Sequence, residues 1–376
     1  MPNLLIISHT MHFKTKNGEI VGWEPTVREI NQFTHIFDSI YHAAPLYKGI
    51  PQITTIPYEK GRVDLHPLIP MGGDGILNKL RILFFMPINI LRVLRIINKA
   101  DWIHFRAPTN IGLFLLPLLN FFITKKVWVK YAGNWKQSSV PWSYKTQRWW
   151  LKNIFKKSFV TINGKWENQD KHLLSFYNPC LTDDELNDAN RIGVKKDFSE
   201  NLNLCFVGRG GRNKGVVELL MAVKALDSSN KISELNIVGM DKDEILDTNF
   251  EQNNIKIHIF GWVNRKKLNR IYEKSHFIVL PTKSEGFPKV IAEASAYGCI
   301  PIITNFKPIN QIIHDNHNGI LLDNPSAKNI QECIQKINSN KYELKNISSL
   351  AIEVSKQFTY RKYIKRIESE IINESI

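Results

Sequence analysis

Pro281-Thr282-Lys283-Ser284-Glu285-Gly286-Phe287-Pro288-Lys289-Val290-Ile291-Ala292-Glu293-Ala294 sets two carboxylates, Glu285 and Glu293, with seven residues between them. The run ahead of it, His276-Phe277-Ile278-Val279-Leu280-Pro281, is short and apolar, and reads as a buried parallel strand. A Gly-Phe-Pro turn and a helix follow, with Glu285 in the loop and Glu293 two turns into the helix. Pro288 suits the first helical turn, where a missing N–H does no harm. The start of such a helix aims backbone N–H groups at the strand's carboxyl end, and that is where anions, phosphate above all, bind.

A second stretch has the same layout. Leu202-Asn203-Leu204-Cys205-Phe206-Val207-Gly208 reads as a buried strand, Arg209-Gly210-Gly211-Arg212-Asn213-Lys214-Gly215 as a Gly-rich basic turn, and Val216 to Val223 as a helix. Strand, basic glycine turn and helix make a phosphate site at the carboxyl edge of a parallel sheet. No Ser or Thr follows the Lys, so this is not a Walker loop, nor is it G-x-G-x-x-G. Carboxylates cannot grip phosphate but can accept hydrogen bonds from sugar hydroxyls. The two stretches together therefore suit a nucleotide-sugar.

In order and separation the two motifs resemble those of retaining glycosyltransferases of the GT-B fold, family 4. The resemblance covers the second half of the chain strongly and the first more loosely. It implies an α/β protein of two Rossmann-like, doubly wound parallel-sheet domains facing across a cleft. It places Glu285 toward the donor hexose, Glu293 at the ribose hydroxyls, and Arg209 and Lys214 on the donor diphosphate. Gly286 and the backbone of Phe287, Lys289 and Val290 would lie near the sugar and diphosphate, and Gly18 near the phosphates. Trp262 and Val263 would lie near the base, although Trp262 reads equally as core. The implied reaction moves a sugar, with retention, to a hydroxyl of a lipid-linked saccharide in bacterial surface polysaccharide synthesis. Two cations can stabilise the departing diphosphate without a metal, so no cofactor is expected. Gln311 stands where the family commonly has Glu, which bears on donor-sugar choice.

The first half begins with strand Leu4 to Ser8. A loop over Thr15 to Glu19, a helix over Val27 to Ile40 and a strand over Ser39 to Ala44 follow. In Asp101-Trp102-Ile103-His104-Phe105-Arg106-Ala107-Pro108, both His104 and Arg106 are acceptor-site candidates, since alternate strand residues share a face. His104 is read equally as a core residue. Asn134 and Lys136, in the turn after Val127 to Tyr131, are the other acceptor candidates.

A chain of 376 residues suggests two domains. The expected boundaries are 1–180 for the acceptor domain, 181–200 for an acidic linker and 201–355 for the donor domain. A terminal helix, 356–376, would return to the first. The four cysteines lack metal or disulfide spacing, as in a reducing cytosol. No secretory signal is read at the start, and Ile111 to Ile123 is too short to span a bilayer.

The net charge of +15 is uneven, with 23 basic against 10 acidic residues up to Cys180. Trp142 to Lys157 mixes Trp with Lys and Arg, which fits a peripheral contact with an anionic inner membrane face. A helix with core tryptophans and solvated lysines is the other reading. No nucleic-acid-binding signature accompanies the charge. Asp241-Lys242-Asp243 is formally Asp-x-Asp, but reads as an acidic helix start rather than a metal site. Two rival functions stand: a nucleotide-sugar epimerase of the same architecture, and a non-catalytic sugar- or membrane-binding scaffold.

Overall fold

The computed structural model describes residues 1–59, 61–72, 76–137, 140–199, 202–209, 213–227, 230–241, 254–339 and 343–374. They divide into two units, Met1–Phe176 with Tyr363–Ile376, and Tyr177–Lys362.

The first unit contains strands β1 (Leu4–Ile7), β2 (His12–Lys14), β3 (Ile20–Trp23), β4 (Ile40–Tyr47), β5 (Thr55–Pro57), β6 (Val63–Leu68), β7 (Trp102–Ala107), β8 (Lys126–Tyr131), β9 (Phe159–Ile162) and β10 (Leu173–Ser175). Its helices are α1 (Glu24–Gln32), α2 (Ile76–Ile97), α3 (Gly112–Phe122) and α4 (Trp142–Asn153). The strands β10-β9-β8-β7-β1-β4 form a parallel sheet, with β6 parallel to β4. Chain order reverses between β1 and β7. Beyond β4 lie β2, β3 and β5, with antiparallel pairing of β3 to both its neighbours. The doubly wound expectation holds for the central strands; this added antiparallel piece was not foreseen.

Alternating strand residues build two cores. Leu5 and Ile7 face α2, α3 and α4, whereas Leu4 and Ile6 face α1 and the returning residues Tyr363, Ile364, Ile367 and Ile371. That return belongs to α11 (Tyr360–Ile367), which carries the chain from the second unit back into the first.

The second unit contains α5 (Asp183–Gly193), β11 (Leu202–Val207), α6 (Val216–Lys224), β12 (Ile232–Val238), β13 (Lys256–Phe260), α7 (Arg265–Lys274), β14 (Phe277–Leu280), α8 (Lys289–Ala296), β15 (Ile300–Thr304), β16 (Ile320–Leu322), α9 (Ala327–Asn338) and α10 (Leu344–Ser355). Its sheet runs β13-β12-β11-β14-β15-β16, every pair parallel. Read from β11, that is the 3-2-1-4-5-6 order of a dinucleotide fold. Buried runs such as β14 and β15 are apolar because helices cover both faces.

The linker expected over 181–200 is instead largely α5. Thr182 and Glu185 form a capping box, and the acidic residues that suggested a linker sit in the first turn, where the helix dipole favours them. Leu186, Ala189 and Gly193 are its buried stripe.

Candidate functional site

Open α/β sheets bind ligands beyond the carboxyl ends of their strands, where strand order reverses. In the second unit that point lies between β11 and β14, so the two loops singled out in the sequence emerge side by side there. Of the first loop, Gly210 to Arg212 lie outside the described residues. It resumes at Asn213, whose carbonyl accepts hydrogen bonds from Lys283 N–H (2.9 Å) and Thr282 Oγ1 (3.1 Å). Gly215 caps α6 in the left-handed region, φ +75°, and a methyl group on it would overlap the Pro281 carbonyl. Only glycine satisfies both demands. Asn213 to Gly215 and Pro281 to Lys283 are therefore packed as one piece.

On that piece Lys214 Nζ pairs with Glu285 Oε1. Burial pulls the Lys214 ammonium below the ordinary lysine pKa, while Arg209 is exposed. A cation and a carboxylate thus sit in contact at the carboxyl edge of the sheet.

Helix α8 starts just beyond, at Lys289, after the buried residues Gly286, Phe287 and Pro288. Pro288 is its N-cap and gives no side-chain cap. Phe287 is fixed by stacking on Phe358, 4.5 Å between centroids at 10°, and Val290 packs on the core. Further along, Glu293 is 8% exposed. Arg265 Nη1 donates to its Oε1 at 2.6 Å, and Tyr272 Oη to its Oε2 at 3.4 Å. Arg265 also lies 3.6 Å from Glu185 and donates to the Cys180 carbonyl at 3.4 Å. Burial alone would lower the Arg265 pKa, but the Glu293 and Glu185 carboxylates outweigh it and raise it. A carboxylate offers about four lone-pair sites, so Glu293 keeps acceptor capacity for a ligand.

Trp262 is 49% exposed, so it is a surface side chain and not core; Val263 packs partly against the core. Asp243 lies outside the described residues. Asp241 faces Gly261, and no cluster of metal-ligating side chains occurs among the described residues.

The remaining candidates belong to the first unit. Gly18, φ +83°, shapes the turn between β2 and β3. Asn134 Oδ1 accepts from Lys136 N–H at 3.0 Å within the turn after β8, and the Lys136 side chain is exposed. Arg106 donates to Glu29 at 2.7 Å, beside Lys130 at 2.6 Å. His104 is wholly buried, stacked 3.8 Å from Trp128, and burial followed by the Arg106 charge holds it neutral. Of its two readings the core one describes the structure, and acceptor contact by His104 is set aside.

The loop after β1 has its own lock. His12 Nδ1 lies 2.9 Å from the Thr10 carbonyl and must donate, so Nε2 accepts from Tyr58 Oη at 2.7 Å. Tyr58 then accepts from His42 Nδ1 (2.6 Å), and His42 Nε2 accepts from Ser8 Oγ (2.8 Å). Thr10 N–H closes the ring onto Ser8 Oγ at 3.1 Å.

The sequence reading missed Arg265, Tyr272, Glu185 and the Asn213 carbonyl. Arg265 carried one local signal, its place after the Asn264 cap of α7; its partner is 28 positions away.

Residues 190–354 match the profile of the family described as glycosyl transferases group 1. Over 370 residues the chain is 23% identical to an uncharacterized 41.2 kDa protein in the cps region of Klebsiella pneumoniae, covering 90% of this chain and 98% of that one. Its fold is similar to that of sucrose-phosphate synthase from Thermosynechococcus elongatus, with a TM-score of 0.72 at 16% identity over 98% of both chains. Anabaena HepE, solved in complex with UDP and glucose, gives 0.68 at 13% identity over 100% of both. These likenesses establish the GT-B fold.

Proposed function

We propose that this chain, whose residues 190–354 match the profile of the group 1 glycosyl transferases, moves a hexose, with retention, from a nucleoside diphosphate to an acceptor hydroxyl. The observation that carries this reading is the contact of Lys214 with Glu285 at the point where strand order reverses. When a glycosidic bond to diphosphate breaks, negative charge grows on the phosphate oxygens. Lys214, Arg209 and the start of α8 stabilise that charge, a task for which no divalent cation is required. Glu285 orients a hexose hydroxyl. Glu293, held from behind by Arg265 and Tyr272, offers the ribose a fixed acceptor.

UDP-hexoses are the first donors to test, given the UDP and glucose bound by HepE. The acceptor we assign is a lipid-linked saccharide of a surface polysaccharide, met at the inner membrane face; the Klebsiella relative's place in a cps region supports it. A thermal-shift panel of UDP-, GDP-, dTDP- and ADP-sugars comes first, because ligands of the native state raise the melting temperature. Incubating the best donor with and without acceptor, then reading the product's anomeric configuration by NMR, completes the test. No thermal shift with any donor would sink the reading. Conversion of the donor alone to an epimer would favour an epimerase.

A further inference from the structure

Helices α2, α3 and α4 cover one face of the first unit's sheet, and their inward residues Met86, Val93, Leu115, Leu119 and Leu151 share one core. Their outward side is not the polar surface that solvated helices show. On α2, Leu83, Phe84, Ile88 and Leu91 are exposed, Phe84 by 72%, and positions 84, 88 and 91 form one stripe. Helix α3 has no charged residue and ends in exposed Phe121 and Phe122, ahead of Lys125 and Lys126.

On α4 and just beyond it, Trp142, Lys145, Trp149, Lys152 and Lys156 recur at spacings of three and four, all exposed. Of the two readings of this segment, core tryptophans fit only Trp150, which packs inward. From residue 76 to residue 157 the sequence holds 15 Lys and Arg and one acidic residue, Asp101. Two of those cations, Arg106 and Lys130, turn inward onto Glu29.

We propose that α2, α3 and α4 together form a docking face for an anionic lipid bilayer. The aromatic and aliphatic side chains would enter the headgroup–acyl boundary while the lysines lie against the headgroups. Charge complementarity selects this occupant. A nucleic acid takes up the charge but leaves the aliphatic stripe of α2 in water. A second copy related by a two-fold axis sets the same cationic patch against itself. The inference rests on the lipid-linked acceptor reading for its purpose, and on the exposed residues for its geometry.

The test is co-sedimentation of the whole chain with vesicles of phosphatidylcholine alone or with about one-third phosphatidylglycerol, at low and high salt. Binding should favour the anionic vesicles and weaken as the Debye length shrinks from about 10 to about 3 Å. Each basic residue near the surface contributes about fivefold in partitioning. Lys145→Glu with Lys152→Glu should therefore cost at least about 25-fold. Phe84→Ser with Leu91→Ser on α2, and Phe121→Ser with Phe122→Ser on α3, should each cost at least about tenfold. The thermal shift produced by UDP, unchanged in these variants, reports that they fold. Equal binding to both vesicles, binding to neither, or parent-like binding by the α2 and α3 variants would overturn the proposal. A solution mass that halves in those variants would assign the face to a second copy instead. Vesicle binding without a thermal shift from any nucleotide-sugar would leave this face standing and remove the donor reading.

Discussion

Replacing Arg265 by Met takes away the guanidinium that lies between two carboxylates. Its guanidinium is 2.6 Å from Glu293 and 3.6 Å from Glu185. At an effective dielectric of about 20, those separations give roughly 6 and 5 kcal/mol of attraction before desolvation. Breaking one side of a buried pair costs about 3–5 kcal/mol, because the charge left behind stays out of water. The Arg265 side chain keeps 20% exposure, so the lower end, about 3 kcal/mol, is expected. Adding Glu293→Gln removes the stranded charge while leaving an amide for Tyr272, and should recover about 2 kcal/mol. Urea unfolding of the parent, both single variants and the double variant closes the cycle, with amide exchange in α8 as the local reading. UDP should also bind Arg265→Met more weakly, since Glu293 loses its fixed position. A coupling energy below about 0.5 kcal/mol means independent sites. Together with a cost under about 1 kcal/mol, the value of an exposed pair, it would refute the reasoning.

Lys214→Ala and Arg209→Ala should each lower transfer about a hundredfold without unfolding the chain; near-parent rates in a radiolabel assay would remove the diphosphate assignment. Gly215→Ala should destabilise the second unit by about 2–5 kcal/mol, from left-handed backbone strain plus the overlap with the Pro281 carbonyl, measured by urea midpoint. Burial drives the His12 pKa down to about 4, so the unfolded chain takes up this proton first as pH falls. Stability present above pH 6.5 should drop by about 2–3 kcal/mol by pH 4.5, and His12→Asn should flatten that slope in urea titrations at the two pH values. Transfer should persist in excess EDTA; complete loss restored by manganese would contradict a cation-only leaving-group site.

The second unit was legible because a parallel sheet buried on both faces forces apolar runs such as Phe277 to Leu280, and because its two glycine-bearing turns have few other uses. The first unit was harder to read. Strands β2 and β3 are three and four residues long, too short for alternation to stand out. Helix α2 carries Leu83, Phe84 and Leu91 on its outer side, which blurs the helical period. Helix α5 passed for a linker because only Leu186, Ala189 and Gly193 are buried. At the site, Glu285 and Lys214 could be named from their turns. Arg265 could not, since the pairing of α7 with α8 exists only in three dimensions.

The return of residues 363–374 to the first unit sets an order of manufacture. Tyr363, Ile364, Ile367 and Ile371 complete the core beneath Leu4 and Ile6, and Tyr363 Oη lies within hydrogen-bond reach of both Glu29 and Lys130. Domains usually fold as they leave the ribosome, the amino-terminal one first. Here the first unit waits, one hydrophobic face open and the Glu29 carboxylate lacking one of its partners, until the whole second unit has been synthesised. The second unit has every strand it needs by then, so its parallel sheet can be complete before the core of the first unit is closed.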